Sequence, residues 1–133
     1  MTSLLVTGGT GLLGRRVTRA LAADGHTVRI LSRTAPGLPV PGAETVVGDL
    51  GTGAGLLRAV TGTSTIVHCA TDPRRSRTVD VEGTGRLLEA GRDVKAALPL
   101  AALAHQMFLA VSGQGGGADD SQVIRAYQAL NAR

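Results

Sequence analysis

The stretch Leu4-Leu5-Val6-Thr7-Gly8-Gly9-Thr10-Gly11-Leu12-Leu13-Gly14 restricts the possible folds more than any other part of the chain. An apolar run of strand length meets spaced glycines and then residues of helical periodicity. Gly9, Gly11 and Gly14 fit G-x-G-x-x-G, and Gly8, Gly11 and Gly14 fit G-x-x-G-x-x-G. Such a pattern says little in isolation. Directly after a strand and directly before an amphipathic helix, it reads as a turn that cradles phosphate. Side chains at Gly9 and Gly11 would block a pyrophosphate from the backbone or forbid the φ angles required, and Gly14 lets the helix pack close to the strand. The free N–H groups and positive dipole end of that helix would face the phosphates. The alternative is a tight turn that binds nothing, for which three correctly spaced glycines are costly.

Thr7-Gly8-Gly9-Thr10-Gly11-Leu12-Leu13-Gly14 resembles the cofactor turn of the extended and atypical short-chain dehydrogenase/reductase families, including nucleotide-sugar epimerases and NmrA-like NADP-binding proteins. The resemblance implies a Rossmann-like α/β fold that binds NAD(P). It continues along the chain. Ser3–Thr7 reads as a buried parallel strand, followed by a helix with Leu13, Val17, Ala20 and Leu21 on one face and Gly25 as its C-cap. The second strand is Thr27–Ser32. NAD-specific sites usually carry an acid roughly 20 residues past the glycines, to bind the ribose 2′-hydroxyl. Here Ser32-Arg33-Thr34 stands instead. Arg33 suits the 2′-phosphate of NADP, which a guanidinium grips with two hydrogen bonds, and Arg15 is placed to help; a solvated arginine at a strand end is the alternative. The expected cofactor is therefore NADP, with NAD possible.

Glu44–Val47 is the third strand, after a proline-glycine loop. Gly48-Asp49-Leu50 comes next, and the resemblance gives Asp49 and Leu50 a contact with the adenine ring. On physical grounds Asp49 serves equally well as a turn or helix cap. Gly55–Val60 reads as a short helix and Thr65–Ala70 as a fourth strand. By resemblance, Ala70 and Thr71 would sit near the cofactor ribose. His68 and Cys69 read as core residues, since no metal-ligand spacing accompanies them. Asp72-Pro73-Arg74-Arg75-Ser76-Arg77 is a basic loop at the sheet edge where ligands bind in open α/β folds; a solvated loop is the plainer reading. Val79–Ala90 resembles the fourth-helix segment of the extended short-chain reductases.

Past that helix the families would supply a fifth strand and a Tyr-x-x-x-Lys pair, with the tyrosine as proton donor or acceptor. Tyr127 is followed four residues later by Asn131, and the only lysine, Lys95, lies upstream, so no catalytic residue is assigned. The C-terminal residues read instead as helical: Leu100, Leu103, Ala104, Met107, Phe108 and Val111 share one face. A loop at Gly113–Gly117 then precedes a helix start at Asp119–Gln122 and a second stripe through Val123, Ile124, Tyr127 and Leu130. Leu98–Gln106 with Asp120–Ile124 resembles the C-terminal end of 3-hydroxyisobutyrate-type β-hydroxyacid dehydrogenases, a helical region that dimerises and closes over substrate. The expected architecture is a truncated Rossmann-like, doubly wound parallel sheet of about four strands in order 3-2-1-4, residues 1–95, then a helical hairpin, residues 96–133. The join near Gly91–Ala97 would be a natural fusion, a deletion remnant or a chimera.

Length and composition narrow the function. The 133 residues suffice for one core, not for a separate substrate domain. The net charge of +4 comes almost wholly from arginine, and Phe108 and Tyr127 are the only aromatics, too few for a base-stacking platform, so no nucleic-acid partner is expected. Cys69 is the only cysteine, so no intrachain disulfide forms. The start shows no signal peptide and no apolar run spans a membrane, which places the chain in the cytoplasm by default. An apolar fourth strand at an open edge invites association, so a homodimer is expected.

Overall fold

The computed structural model describes residues 2–35 and 39–97. The expected hairpin beyond Ala97, with Tyr127, the hydroxyacid-dehydrogenase-like tail and its apolar stripes, lies outside the described residues. Four strands run parallel: β1 (Ser3–Thr7), β2 (Thr27–Ser32), β3 (Ala43–Val47) and β4 (Thr65–His68). Their order is β3-β2-β1-β4, as the sequence predicts. Register sets Leu5 beside Arg29 and Ile66, and Val6 beside Ile30 and Val67. The central strands are apolar on both faces because both are covered. Leu5, Val6, Val28 and Ile30 are buried throughout.

Helix α1 (Leu12–Ala23) packs on one face of the sheet. The other face carries α2 (Leu56–Val60) and α3 (Thr84–Asp93), the latter preceded by a π-helical segment, Arg77–Gly83. Leu5, Leu31, Val46, Leu56, Val60, Ile66, Val79 and Leu87 form the core on that side. Arg29 projects there too, and its Nη1 donates to the carbonyls of Arg58, Ala59 and Thr61, capping the end of α2.

Three sequence expectations need adjustment. The buried stripe of α1 is Gly14 and Thr18, with Val17 and Leu21 half-buried, whereas Leu13 is 64% exposed and Ala20 is exposed. The helix is rotated this way because Gly14 must lie against the glycine turn, and Leu13 is then turned out. Second, β4 stops at His68, although Cys69 N–H still donates to Thr7 O at 3.1 Å. Third, the outer edge of β4 is not wholly open. Ala97 N–H donates to Ser64 O at 3.0 Å and Ile66 N–H donates to Ala97 O at 3.4 Å, a parallel bridge beside Thr65.

Thr18 is fully buried, and its Oγ1 is the buried side-chain polar atom without a partner among the described residues. An unpaired buried hydroxyl carries its full desolvation cost, about 1–3 kcal/mol. Thr18→Val keeps the shape and the β-branch and removes that cost. The expected outcome in urea unfolding is a gain of about 1 kcal/mol with an unchanged m-value; a loss of stability would show that the hydroxyl is satisfied in solution.

Candidate functional site

The glycine turn runs from the end of β1 into α1. Gly8 adopts φ +68°, and a Cβ there would lie 2.7 Å from the Ala70 nitrogen. Left-handed backbone and close approach together leave only glycine. Gly8 O accepts the Gly11 N–H at 3.0 Å. A Cβ on Gly14 would collide with that same carbonyl oxygen, so Gly14 draws the helix onto the strand. Gly9 has another role than the sequence suggests: a Cβ there would meet the Ile30 side chain at 2.7 Å, so it fits the turn against β2. Gly11 caps α1 in extended conformation, with only Gly8 O near a would-be Cβ, at 3.3 Å. The intrahelical ladder starts with Arg15 N–H donating to Gly11 O at 2.9 Å, so the N–H groups of Leu12, Leu13 and Gly14 precede it.

A cleft of about 920 Å³ lies above this turn, at the carboxyl ends of the strands. Twelve of the thirteen residues singled out from the sequence line it: Thr7, Gly8, Thr10, Gly11, Leu12, Leu13, Gly14, Arg33, Asp49, Leu50, Ala70 and Thr71. Gly9 is the exception, buried beneath the turn. Leu12, 80% exposed, and Leu13 form an apolar lip at the start of α1. Asp49 does cap a turn: its Oδ1 accepts the Gly51 N–H at 2.8 Å, and its own N–H donates to Ala54 O. Leu50 is core from one side and cleft wall from the other.

The wall after β4 is held by polar ties that the sequence did not disclose. Asp80, buried on the π-helical segment, accepts the Asp72 N–H at Oδ1 (3.0 Å) and the Thr71 hydroxyl at Oδ2 (3.3 Å). Its one visible signal is an acid between two valines, Val79-Asp80-Val81, just past a sheet edge. Asp72 then reaches across the cleft mouth, with Oδ2 at 3.9 Å from Arg33 Nη1. The Arg75 guanidinium lies over Gly51, beside Asp49.

His68 and Cys69, read from the sequence as core residues, are both half-buried, and Cys69 lines the cleft. The His68 Nδ1 pairs with the Thr7 hydroxyl at 2.6 Å and its Nε2 with the Thr84 hydroxyl at 2.9 Å, tying β1, β4 and α3 together. Burial pushes its pKa down to about 4. Burial also pushes the Cys69 thiol up, away from the reactive thiolate. Among the described residues, no group of three or more His, Cys, Asp or Glu side chains is placed to hold a metal ion, and no helix is long and apolar enough to cross a membrane.

A profile described as NAD(P)H-binding matches residues 8–131. The chain is 39% identical over 103 residues to a 3-beta-hydroxysteroid dehydrogenase of Mycolicibacterium neoaurum, covering 67% of this chain and 28% of that protein. It is 39% identical over 110 residues to the ceramide reductase of Caulobacter vibrioides, covering 80% and 33%. It is 37% identical over 100 residues to the photosystem II assembly factor Ycf39 of Cyanophora paradoxa, covering 70% and 31%. The chain thus spans about a third of the length of these relatives. Among solved structures, a short-chain dehydrogenase/reductase superfamily protein from Agrobacterium tumefaciens with bound NAD aligns with TM-score 0.62 and 38% identity, over 71% of this chain and 30% of that one. Uronate dehydrogenase from the same organism aligns with TM-score 0.61 and 28% identity, over 70% and 37%.

The buried imidazole has a pH consequence. Below pH 6.5 the unfolded chain takes up a proton at His68 that the folded chain refuses until about pH 4. Stability is therefore lost as pH falls through that window, with a slope approaching about 1.4 kcal/mol per pH unit. His68→Gln is expected to flatten this part of the profile while lowering stability at pH 7. Equal slopes in wild type and variant, by urea unfolding from about pH 7 to about pH 4.5, would show that His68 does not carry it.

Proposed function

The chain belongs to the NAD(P)H-binding family, and on that premise we propose that its Rossmann unit holds the dinucleotide of an oxidoreductase, with NADP(H) preferred over NAD(H). One observation carries the reading: the cleft sits on the Gly8–Gly14 turn and the opening of α1, at the carboxyl edge of the sheet. The pyrophosphate lies over Gly11, Leu12 and Leu13, whose backbone leads into the helix. Adenosine lies toward Asp49 and Leu50, and the second ribose toward Ala70 and Thr71. Thr7 and Thr10 flank the turn, and Gly9 shapes it from beneath.

Arg33 supports the NADP preference. It lines the cleft at the end of β2, is 66% exposed, and stands where NAD-specific sites carry an acid. The 133 residues supply no Tyr-x-x-x-Lys pair, so this unit contributes cofactor binding and not the proton-transfer pair of hydride transfer. The same proposal has the unit act as a homodimer in the cytoplasm, without nucleic-acid or membrane partners. The resemblance of the glycine turn to NmrA-like NADP-binding proteins favours a second reading, a protein that senses the NADP state without turnover, and one relative is named as an assembly factor rather than as an oxidoreductase.

The test is a thermal melt of the chain alone, with NADPH and with NADH. A ligand bound only by the folded state raises the midpoint by mass action. The expected result is a larger upward shift with NADPH, and in Arg33→Ala an NADPH affinity lower by about tenfold with little change for NADH. A melt that neither cofactor moves would overturn the cofactor reading. Equal or larger shifts with NADH would overturn only the preference.

A further inference from the structure

The loop that leaves β4 does not stay beside its own strand. It crosses the carboxyl edge of the sheet and reaches the exits of β2 and β3. Asp72 meets Arg33, and the Arg75 guanidinium lies over Gly51. We propose that Asp72 is an internal counter-ion for Arg33 and thereby sets the cofactor preference: it competes with the 2′-phosphate of the dinucleotide for the same guanidinium. This rests on the reading of Arg33 given above.

The two partners are held very differently. Asp72 is fixed. Its N–H donates to buried Asp80 at 3.0 Å, its Oδ1 accepts the Arg74 N–H at 3.1 Å, and its side chain is only 23% exposed. Arg33 is 66% exposed, and the pair is loose at 3.9 Å. A long, solvated arginine can swing to a ligand, whereas the aspartate cannot follow. A phosphate that carries up to two negative charges and accepts two parallel N–H bonds is a better partner than one distant carboxylate oxygen. A ribose 2′-hydroxyl is not, so an unphosphorylated dinucleotide leaves the pair in place. Asp72 therefore lowers the affinity for the phosphorylated cofactor and keeps the arginine over the cleft mouth while the site is empty.

Asp72→Asn tests this with little risk to the fold, since the amide oxygen can still accept the Arg74 N–H and the backbone tie to Asp80 is untouched. Affinities for NADPH and NADH are measured by cofactor fluorescence titration in wild type, Asp72→Asn, Arg33→Ala and the double variant. The ratio of NADPH to NADH affinity is expected to rise about threefold to fivefold in Asp72→Asn, the scale of an exposed ion pair, and the rise should shrink in added salt. In the Arg33→Ala background the second substitution should leave the ratio unchanged. A ratio unmoved by Asp72→Asn overturns the competition, as does a rise that persists without Arg33, which would mark direct repulsion of phosphate. A wild-type protein that prefers NADPH while the ratio stays unmoved leaves the cofactor reading standing. Wild type that binds neither cofactor overturns both.

Discussion

The contact between Gly8 and Gly14 fixes more of this structure than any other. Gly8 turns the chain with a left-handed backbone and points its carbonyl into the space that a side chain at position 14 would fill. Because that space is empty, α1 begins against the end of β1. The same residue presses against the Ala70 backbone, so the turn also sets how closely β4's exit approaches. Gly9 completes the fit against Ile30 of β2. Three elements thus converge on one turn, α1 and the exit of β4 on its bare backbone and β2 through the Ile30 side chain. The cleft above it is what remains when backbone packs on backbone at the carboxyl edge of a parallel sheet.

The opposite wall obeys another principle. Past His68 the chain leaves the ladder, and polar side chains take over its placement. His68 is clasped between two threonine hydroxyls, one on β1 and one on α3, which offer partners to either tautomer of a neutral ring. A few residues further on, buried Asp80 binds the backbone at Asp72 and the hydroxyl of Thr71. Burying a carboxylate is tolerable when its oxygens are hydrogen-bonded, and here that requirement positions the loop. One wall is therefore rigid through close packing and the other through a few directional bonds. The second kind is more easily altered by a single substitution or by a ligand that offers better partners.

This contrast explains what could be read from the sequence. The strands and the glycine turn came from local signals: apolar runs, glycine spacing, and the step from a period of two to 3.6. The strand order came from the handedness of crossovers, and Asp49, Leu50, Ala70 and Thr71 came from family resemblance. The rotation of α1 came from none of these. Its apolar periodicity pointed to Leu13, and the Gly14 contact, a tertiary constraint, turned Leu13 outward. Asp49 could not be assigned between turn and ligand from sequence, because the carboxylate that caps the Gly51 N–H also lines the cleft. The bridge from Ala97 to the edge of β4 depends on where α3 ends in space, which periodicity does not encode. Asp80 was the least legible, since nothing local separates a buried, bonded acid from a solvated one on a helix.

The charges around the cleft mouth act on the ligand before the walls do. Arg33, Arg74 and Arg75 line it together with Asp49 and Asp72. Arginines at a low-dielectric cleft focus the field that draws an anionic dinucleotide inward. The two acids keep that field from being uniform, and each is anchored to backbone, Asp49 to Gly51 and Asp72 to Arg74. Arg33 stays largely in water. Fixed anions beside mobile cations make a rim whose attraction depends on which ligand group arrives. A group that only accepts one weak hydrogen bond cannot draw a guanidinium from a carboxylate. A dianion with three acceptor oxygens can, and discrimination at such a rim comes from the exchange of partners as much as from contact with the ligand itself.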